Sequence, residues 1–134
     1  MTTTSSMTTT TSSMTATTST GSMSTGFLAV AAGWSHSCAV RVDGSVVCWG
    51  DPNQGQTKPP GGSFLSIAGG SDFPCGIRSA GTIACWGVNE SGQASPPEDG
   101  FVQVSLGNFH ACGIRAGGAV VCWGSNSDGQ AAPP

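Results

Sequence analysis

Six cysteines and two histidines are the residues of this 134-residue chain with the most chemistry to offer. Their spacing decides which chemistry. The cysteines form three pairs, Cys38 with Cys48, Cys75 with Cys85 and Cys112 with Cys122. Each pair is ten residues apart and starts 37 residues after the last. Structural zinc sites draw on ligands about two to four residues apart, as in C-x2-C, and no two cysteines here are that close. His36 and His110 align with each other, while Phe73 fills their place in the middle copy. A metal ligand is not exchanged for Phe, whereas a packing residue can be. No metal and no cofactor is expected. The acids Asp43, Asp51, Asp72, Glu90, Glu98, Asp99 and Asp128 lie mostly in turns or linkers, where Asp is favoured on backbone grounds. No acid pair recurs in phase, and no Ser–His–acid or Cys–His set stands out. The chain does not read as an enzyme.

The remaining use of the cysteines is as bridges, and a hairpin would place them correctly. In "CAVRVDGSVVCWG", let Arg41 oppose Ser45 across the loop Val42-Asp43-Gly44. A type I turn ending in a left-handed Gly is a favoured three-residue hairpin loop. Counting back gives Val40 opposite Val46, Ala39 opposite Val47, and Cys38 opposite Cys48. The same count places Cys75 opposite Cys85 and Cys112 opposite Cys122, with Gly81 and Gly118 ending the loops. Directly opposed residues in a non-hydrogen-bonded pair have Cα atoms about 4.5 Å apart, near the lower edge of disulfide geometry. Three disulfides are expected, each worth about 2–3 kcal/mol by chain-entropy arithmetic. They imply an oxidising setting, extracellular or at the cell surface. No signal peptide accompanies them, so Met1 is expected to lie within a longer precursor or a partial sequence.

These hairpins belong to a larger repeat. Phe27, Phe64 and Phe101 share one phase, followed by Gly33, Gly70 and Gly107. Trp49, Trp86 and Trp123 come next, then Gly55-Gln56, Gly92-Gln93 and Gly129-Gln130, and each unit closes on Pro-Pro. A fixed period of this length marks a solenoid, propeller or array. Short apolar runs such as "FLAVAAG" and "FVQVSLG", bounded by Gly, Pro, Asn and Asp, read as strands. No stretch sustains a helical period. The fold class expected is all-β, with repeats at 24–60, 61–97 and 98–134. The in-phase tryptophans are expected in the core, between neighbouring units. Arg41, Arg78 and Arg115 are expected beside the turns, facing solvent or paired locally.

Ahead of the repeats, residues 1–23 form a separate low-complexity segment. Nineteen of residues 1–25 are Thr or Ser, and none is charged. Such a tract has too little apolar surface to fold alone. It reads as a linker or as an O-glycosylated stalk. The candidate acceptors are Thr2, Thr3, Thr4, Thr8, Thr9, Thr10, Thr11, Thr15, Thr17, Thr18 and Thr20. Thr favours extended backbone. Charged residues make up only 8% of the chain and the net charge is −3, which argues against nucleic acid and anionic membrane surfaces. No apolar run is long enough for a membrane span.

The repeat resembles that of the regulator of chromosome condensation family. "VAAGWSHSCAVRVDGSVVCWGDPNQGQ" carries its pattern at Gly33, His36, Ala39, Asp43, Gly44, Trp49, Gly50, Gly55 and Gln56, with Asn53 displaced from the usual Asn slot by Asp51-Pro52. Copy two keeps Gly70, Gly81, Trp86, Gly87, Asn89, Gly92 and Gln93. Copy three keeps Gly107, His110, Gly118, Trp123, Gly124, Asn126, Gly129 and Gln130. The resemblance covers residues 27–134. The cysteine pairs are similar to those of secreted bacterial members. It implies four-stranded β-propeller blades, and propellers typically close with about four to eight blades, so three units leave the ring incomplete. The nucleotide-exchange activity of the nuclear members does not transfer with the fold.

Two functions fit. The first is an extracellular structural protein of disulfide-stapled repeats that self-assembles, as a homo-oligomer or filament, and carries a covalent glycan on its Thr/Ser segment. The second is a secreted propeller module that recognises a protein or glycan. Trp34 aligns with Ser71 and Asn108, so the scaffold does not require Trp there, and it is the best single contact candidate. Asn89-Glu90-Ser91 is also an N-glycosylation sequon.

Overall fold

The computed structural model describes residues 26–134. The expectations for residues 1–25, including the extended stalk and its Thr acceptors, lie outside the described residues. The described chain is all-β. Nine strands run β1 (Phe27–Ala32), β2 (His36–Arg41), β3 (Val46–Gly50), β4 (Phe64–Gly69), β5 (Pro74–Arg78), β6 (Ile83–Cys85), β7 (Phe101–Leu106), β8 (His110–Arg115) and β9 (Val120–Gly124). They form three antiparallel sheets in the orders β1-β2-β3, β4-β5-β6 and β7-β8-β9. Each sheet is one blade, and the blades follow one another in an arc that does not close into a ring.

The tight hairpin of each blade has the register that its cysteine spacing requires. Cys38 pairs with Cys48, Ala39 with Val47 and Val40 with Val46. At the turn, Arg41 N donates to Ser45 O and Gly44 N to Arg41 O, both at 2.8 Å. Gly44, Gly81 and Gly118 sit at φ of 90°, 96° and 99°, the left-handed region that a Cβ disfavours. The Cα atoms of Cys38 and Cys48 are 4.1 Å apart, those of Cys75 and Cys85 4.1 Å, and those of Cys112 and Cys122 4.0 Å. All three pairs are disulfide-bonded and no free cysteine is left.

Each sheet has three strands, one fewer than the resemblance implies. After β3 the chain enters turns in which Gly55 N donates to Pro52 O and Lys58 N to Gly55 O, and it then reaches Pro59-Pro60. Prolines have no N–H to give a ladder, and a 37-residue unit runs straight into the next blade. Pro52 takes the place held by Asn89 and Asn126, whose Oδ1 atoms accept from Ala94 N and Ala131 N at 2.8 Å. Asp51 Oδ1 accepts from Asn53 N instead.

Two apolar layers join the blades. Cys38 and Val40 of the first blade meet Phe64 and Trp86 of the second. Cys75, Ile77 and Ile83 of the second meet Phe101 and Trp123 of the third. Each tryptophan also clips its blade to the one before. Trp86 Nε1 donates to Gln56 O and Trp123 Nε1 to Gln93 O, both at 3.0 Å. The glutamine turn is held by its own side chain, since Gln56 Oε1 accepts from Gln54 N and Gln93 Oε1 from Ser91 N. The first strand of a blade is tied to the preceding hairpin turn, through Phe64 N to Gly44 O and Phe101 N to Gly81 O at 2.8 Å. Trp49 departs from the core expectation: it is half exposed, while Trp86 and Trp123 are buried.

Candidate binding site

One face of the blade array gathers the loops between the first and second strand of each blade. They are Gly33-Trp34-Ser35, the Gly70-Ser71-Asp72-Phe73 loop and Gly107-Asn108-Phe109. Each opens with a glycine whose N–H closes the loop: Gly33 N donates to His36 O, Gly70 N to Phe73 O and Gly107 N to His110 O, at 2.8–3.0 Å. The glycines are needed for approach rather than for φ. A Cβ on Gly33 would collide with the His36 ring and the Gly70 carbonyl, and one on Gly70 with the Phe73 ring and the Gly107 carbonyl.

Freed of side chains, the three loops come close enough to bond. Trp34 N donates to Ser71 O at 3.2 Å, and Ser71 Oγ to Asn108 O at 2.6 Å. Together Gly33, Trp34, Gly70, Ser71, Gly107 and Asn108 line an open hollow of about 210 Å³. The Trp34 side chain is 72% exposed at its rim, and Phe109 is exposed on the same face. The structure thus brings together three aligned positions, Trp34, Ser71 and Asn108, and gives the hollow one aromatic wall and two polar ones. Phe109 escaped the sequence reading because it looks like another strand residue; its exposure follows from its place in the loop.

Beneath the loops lies the aligned set His36, Phe73 and His110. His36 and Phe73 are buried, and neither ring nitrogen of His36 has a hydrogen-bond partner. Burial holds the His36 pKa below the ordinary histidine value, against the opposing pull of the Asp72 charge. His36 therefore packs as a neutral ring, like the Phe73 that replaces it. Among the described residues no group of three or more His, Cys, Asp or Glu side chains could hold a metal.

On the opposite face, two of the three in-phase arginines are occupied locally. Arg78 lies over the Phe64 ring at 5.0 Å and donates to Gly61 O; Arg115 lies over Phe101 at 5.7 Å and pairs with Asp99. The Asn89 amide of the sequon is engaged by Ser95 Oγ at 2.9 Å and by Ala94 N, a turn-holding role that it shares with Asn126.

The repeat model of the regulator of chromosome condensation (RCC1) matches residues 27–56 and 101–130. The chain carries repeats of the RCC1 type. Solved structures agree on the fold. The ectodomain of the receptor kinase CR4 from Physcomitrella patens is 32% identical with a TM-score of 0.62, over 75% of this chain and 31% of that one. The CRINKLY ectodomain of the Arabidopsis thaliana receptor kinase ACR4 is 32% identical with a TM-score of 0.59, over 73% and 36%. Prp20p from Saccharomyces cerevisiae, 18% identical with a TM-score of 0.64 over 78% and 34%, shares the fold. The chain spans about a third of the length of each of these structures. A search of curated protein sequences found no match. Among the described residues no helix is long and apolar enough to cross a membrane.

Proposed function

We propose that these RCC1 blades are part of an extracellular recognition module that holds a segment of a partner protein on the loop face around Trp34. The observation that carries this reading is the exposed Trp34 at a position where the other two blades use Ser71 and Asn108. Exposing an indole that the scaffold does not require is costly unless it is used, and Trp is enriched at interaction hot spots. The hollow beside it is lined by loop backbone and by the exposed Asn108 amide, polar groups of the kind that fix a ligand's orientation. Three disulfides suit an oxidising compartment, and the two receptor-kinase ectodomains, both 32% identical, are extracellular by description. The Thr/Ser tract is proposed as a spacer carrying O-linked sugar, tested by intact mass before and after deglycosylation.

The binding reading is tested by selecting a displayed peptide library, and in parallel a glycan array, against the purified chain and its Trp34→Ser variant. Ser stands at the aligned place in the middle blade, so the variant should fold. Peptides that bind the wild type and lose at least tenfold in affinity for Trp34→Ser support the proposal. Binding confined to glycans replaces the ligand class. Binders indifferent to Trp34 would remove the site.

A further inference from the structure

The two faces of the blade array differ in charge. The hairpin turns carry Arg41, Arg78 and Arg115. The opposite face is built from the loops around Trp34, Ser71 and Asn108 and from the turns that leave the third strand of each blade. Those turns start on that face because Asp51 N donates to Ser35 O, Val88 N to Asp72 O and Ser125 N to Phe109 O, at 2.8–3.1 Å. Across these loops and turns, at 33–35, 51–56, 70–73, 88–93, 107–109 and 125–130, the charged residues are Asp51, Asp72, Glu90 and Asp128, and none is Lys or Arg. Lys58 lies on the return path to Gly61, whose carbonyl accepts from Arg78 on the hairpin face.

Two of these acids stand beside the Trp34 loop. Asp51 is bonded through its N–H to the residue after Trp34, and Asp72 follows Ser71, whose carbonyl accepts from Trp34 N. Among the described residues the one ion pair is Arg115 with Asp99, on the hairpin face, and residues 1–25 contain no Lys or Arg. The indole itself is 72% exposed, and Trp is the best cation–π acceptor among side chains. The molecule already uses this contact on its hairpin face, with Arg78 over Phe64 at 5.0 Å and Arg115 over Phe101 at 5.7 Å. Among the described residues no cation lies over Trp34.

We infer that the partner segment held at Trp34 is a basic peptide, with an Arg or Lys side chain lying over the Trp34 indole beside the Asp51 and Asp72 carboxylates. The inference rests on the proposed loop-face recognition and names the chemistry of its ligand. The indole takes the flat face of a guanidinium or the stem of a lysine, and the two carboxylates take its charge. A neutral apolar segment would also stack on Trp34, but it would strip water from Asp51 and Asp72 and return no partner to them. An acidic segment would meet four like charges across the face.

A displayed library of random peptides, selected on the full chain at a pH of about 7.5 where ordinary histidines are neutral, tests the inference. The probes are the enriched peptides, resynthesised and titrated by calorimetry. They should carry a net charge of about +2 or more and lose affinity as NaCl rises from about 50 to about 300 mM. Asp51→Asn with Asp72→Asn should weaken them about threefold or more. Asn at 51 still offers the Oδ1 that accepts from Asn53 N, and circular dichroism with intact disulfides checks that the variant folds. Glu98→Gln, an exposed acid on the hairpin face, should leave affinity unchanged. Neutral or acidic peptides that depend on Trp34 overturn the inference and leave the loop-face reading standing. A loss with Glu98→Gln as large as with the double variant means attraction to the net charge of −3 rather than to this face, and overturns the inference as well. Basic peptides indifferent to Trp34→Ser, or no enrichment at all, overturn both.

Discussion

The indole N–H of Trp123 donates to the main-chain carbonyl of Gln93, thirty residues earlier and one blade away, at 3.0 Å. Trp86 does the same with Gln56. The bond is buried in an apolar junction, where the ring also meets Phe101 at a centroid distance of 6.0 Å. Trp123→Phe keeps most of the ring and removes the donor. Leaving a buried acceptor unpaired costs about 1–3 kcal/mol. The same change at half-exposed Trp49 should cost under about 0.5 kcal/mol in dilute protein. Urea denaturation of the two variants measures the difference, and equal losses would mean that the clip does not hold the blades.

The disulfides should carry a large part of the stability, because each blade is a single three-stranded sheet with few large apolar groups. Replacing Cys75 and Cys85 together by Ala should cost about 2–3 kcal/mol by the loop-closure argument. The middle blade is the test position, since both of its faces are covered by neighbours. Thermal unfolding of the double variant against wild type reads the loss, expected as a drop in Tm without a change of sheet content.

The hairpin glycines separate conformation from crowding. Gly118 has φ of 99° and open space where a Cβ would stand, whereas a Cβ on Gly44 would strike Ser63 Oγ. Gly118→Ala should therefore show only the left-handed penalty, about 1–2 kcal/mol. Gly44→Ala should cost more. Denaturant midpoints of the two variants give the order.

His36 gives the fold an acid dependence of known sign. Its folded pKa lies below the ordinary 6.5 because burial disfavours the charged ring. As pH falls through about 6.5 the unfolded chain takes up a proton that the folded chain refuses, so stability declines toward acid and is level above neutrality. His36→Phe, the residue that the middle blade uses, should flatten the profile between about pH 7 and pH 5. The Asp43 carboxyl is held below the usual carboxylate range by Ser45 Oγ and N, so its own loss falls at more acid pH and leaves that window to His36. A profile unchanged by His36→Phe would exclude this origin.

Much of the blade was legible because its determinants are local. A cysteine spacing of ten and a glycine closing each loop set the hairpin register, and that register is the one found. The alignment of Phe73 with His36 and His110 anticipated a packing role, and burial of the first two agrees. The strand count did not follow from the resemblance, since Pro-Pro and the short unit leave no fourth ladder. Trp49 was misread for a different reason. Its sequence context equals that of Trp86, and only its place at the end of the array exposes it. The loop cluster at Trp34, Ser71 and Asn108 was visible as an alignment but not as a hollow, because its geometry depends on how closely three glycines let the blades approach.

Recognition at the Trp34 face is tested by hydrogen exchange on the chain bound to a selected peptide. Protection should concentrate in residues 33–35, 70–73 and 107–109, and should vanish with Trp34→Ser. Protection confined to residues around Val30 and Trp49 or around Val120 would contradict it.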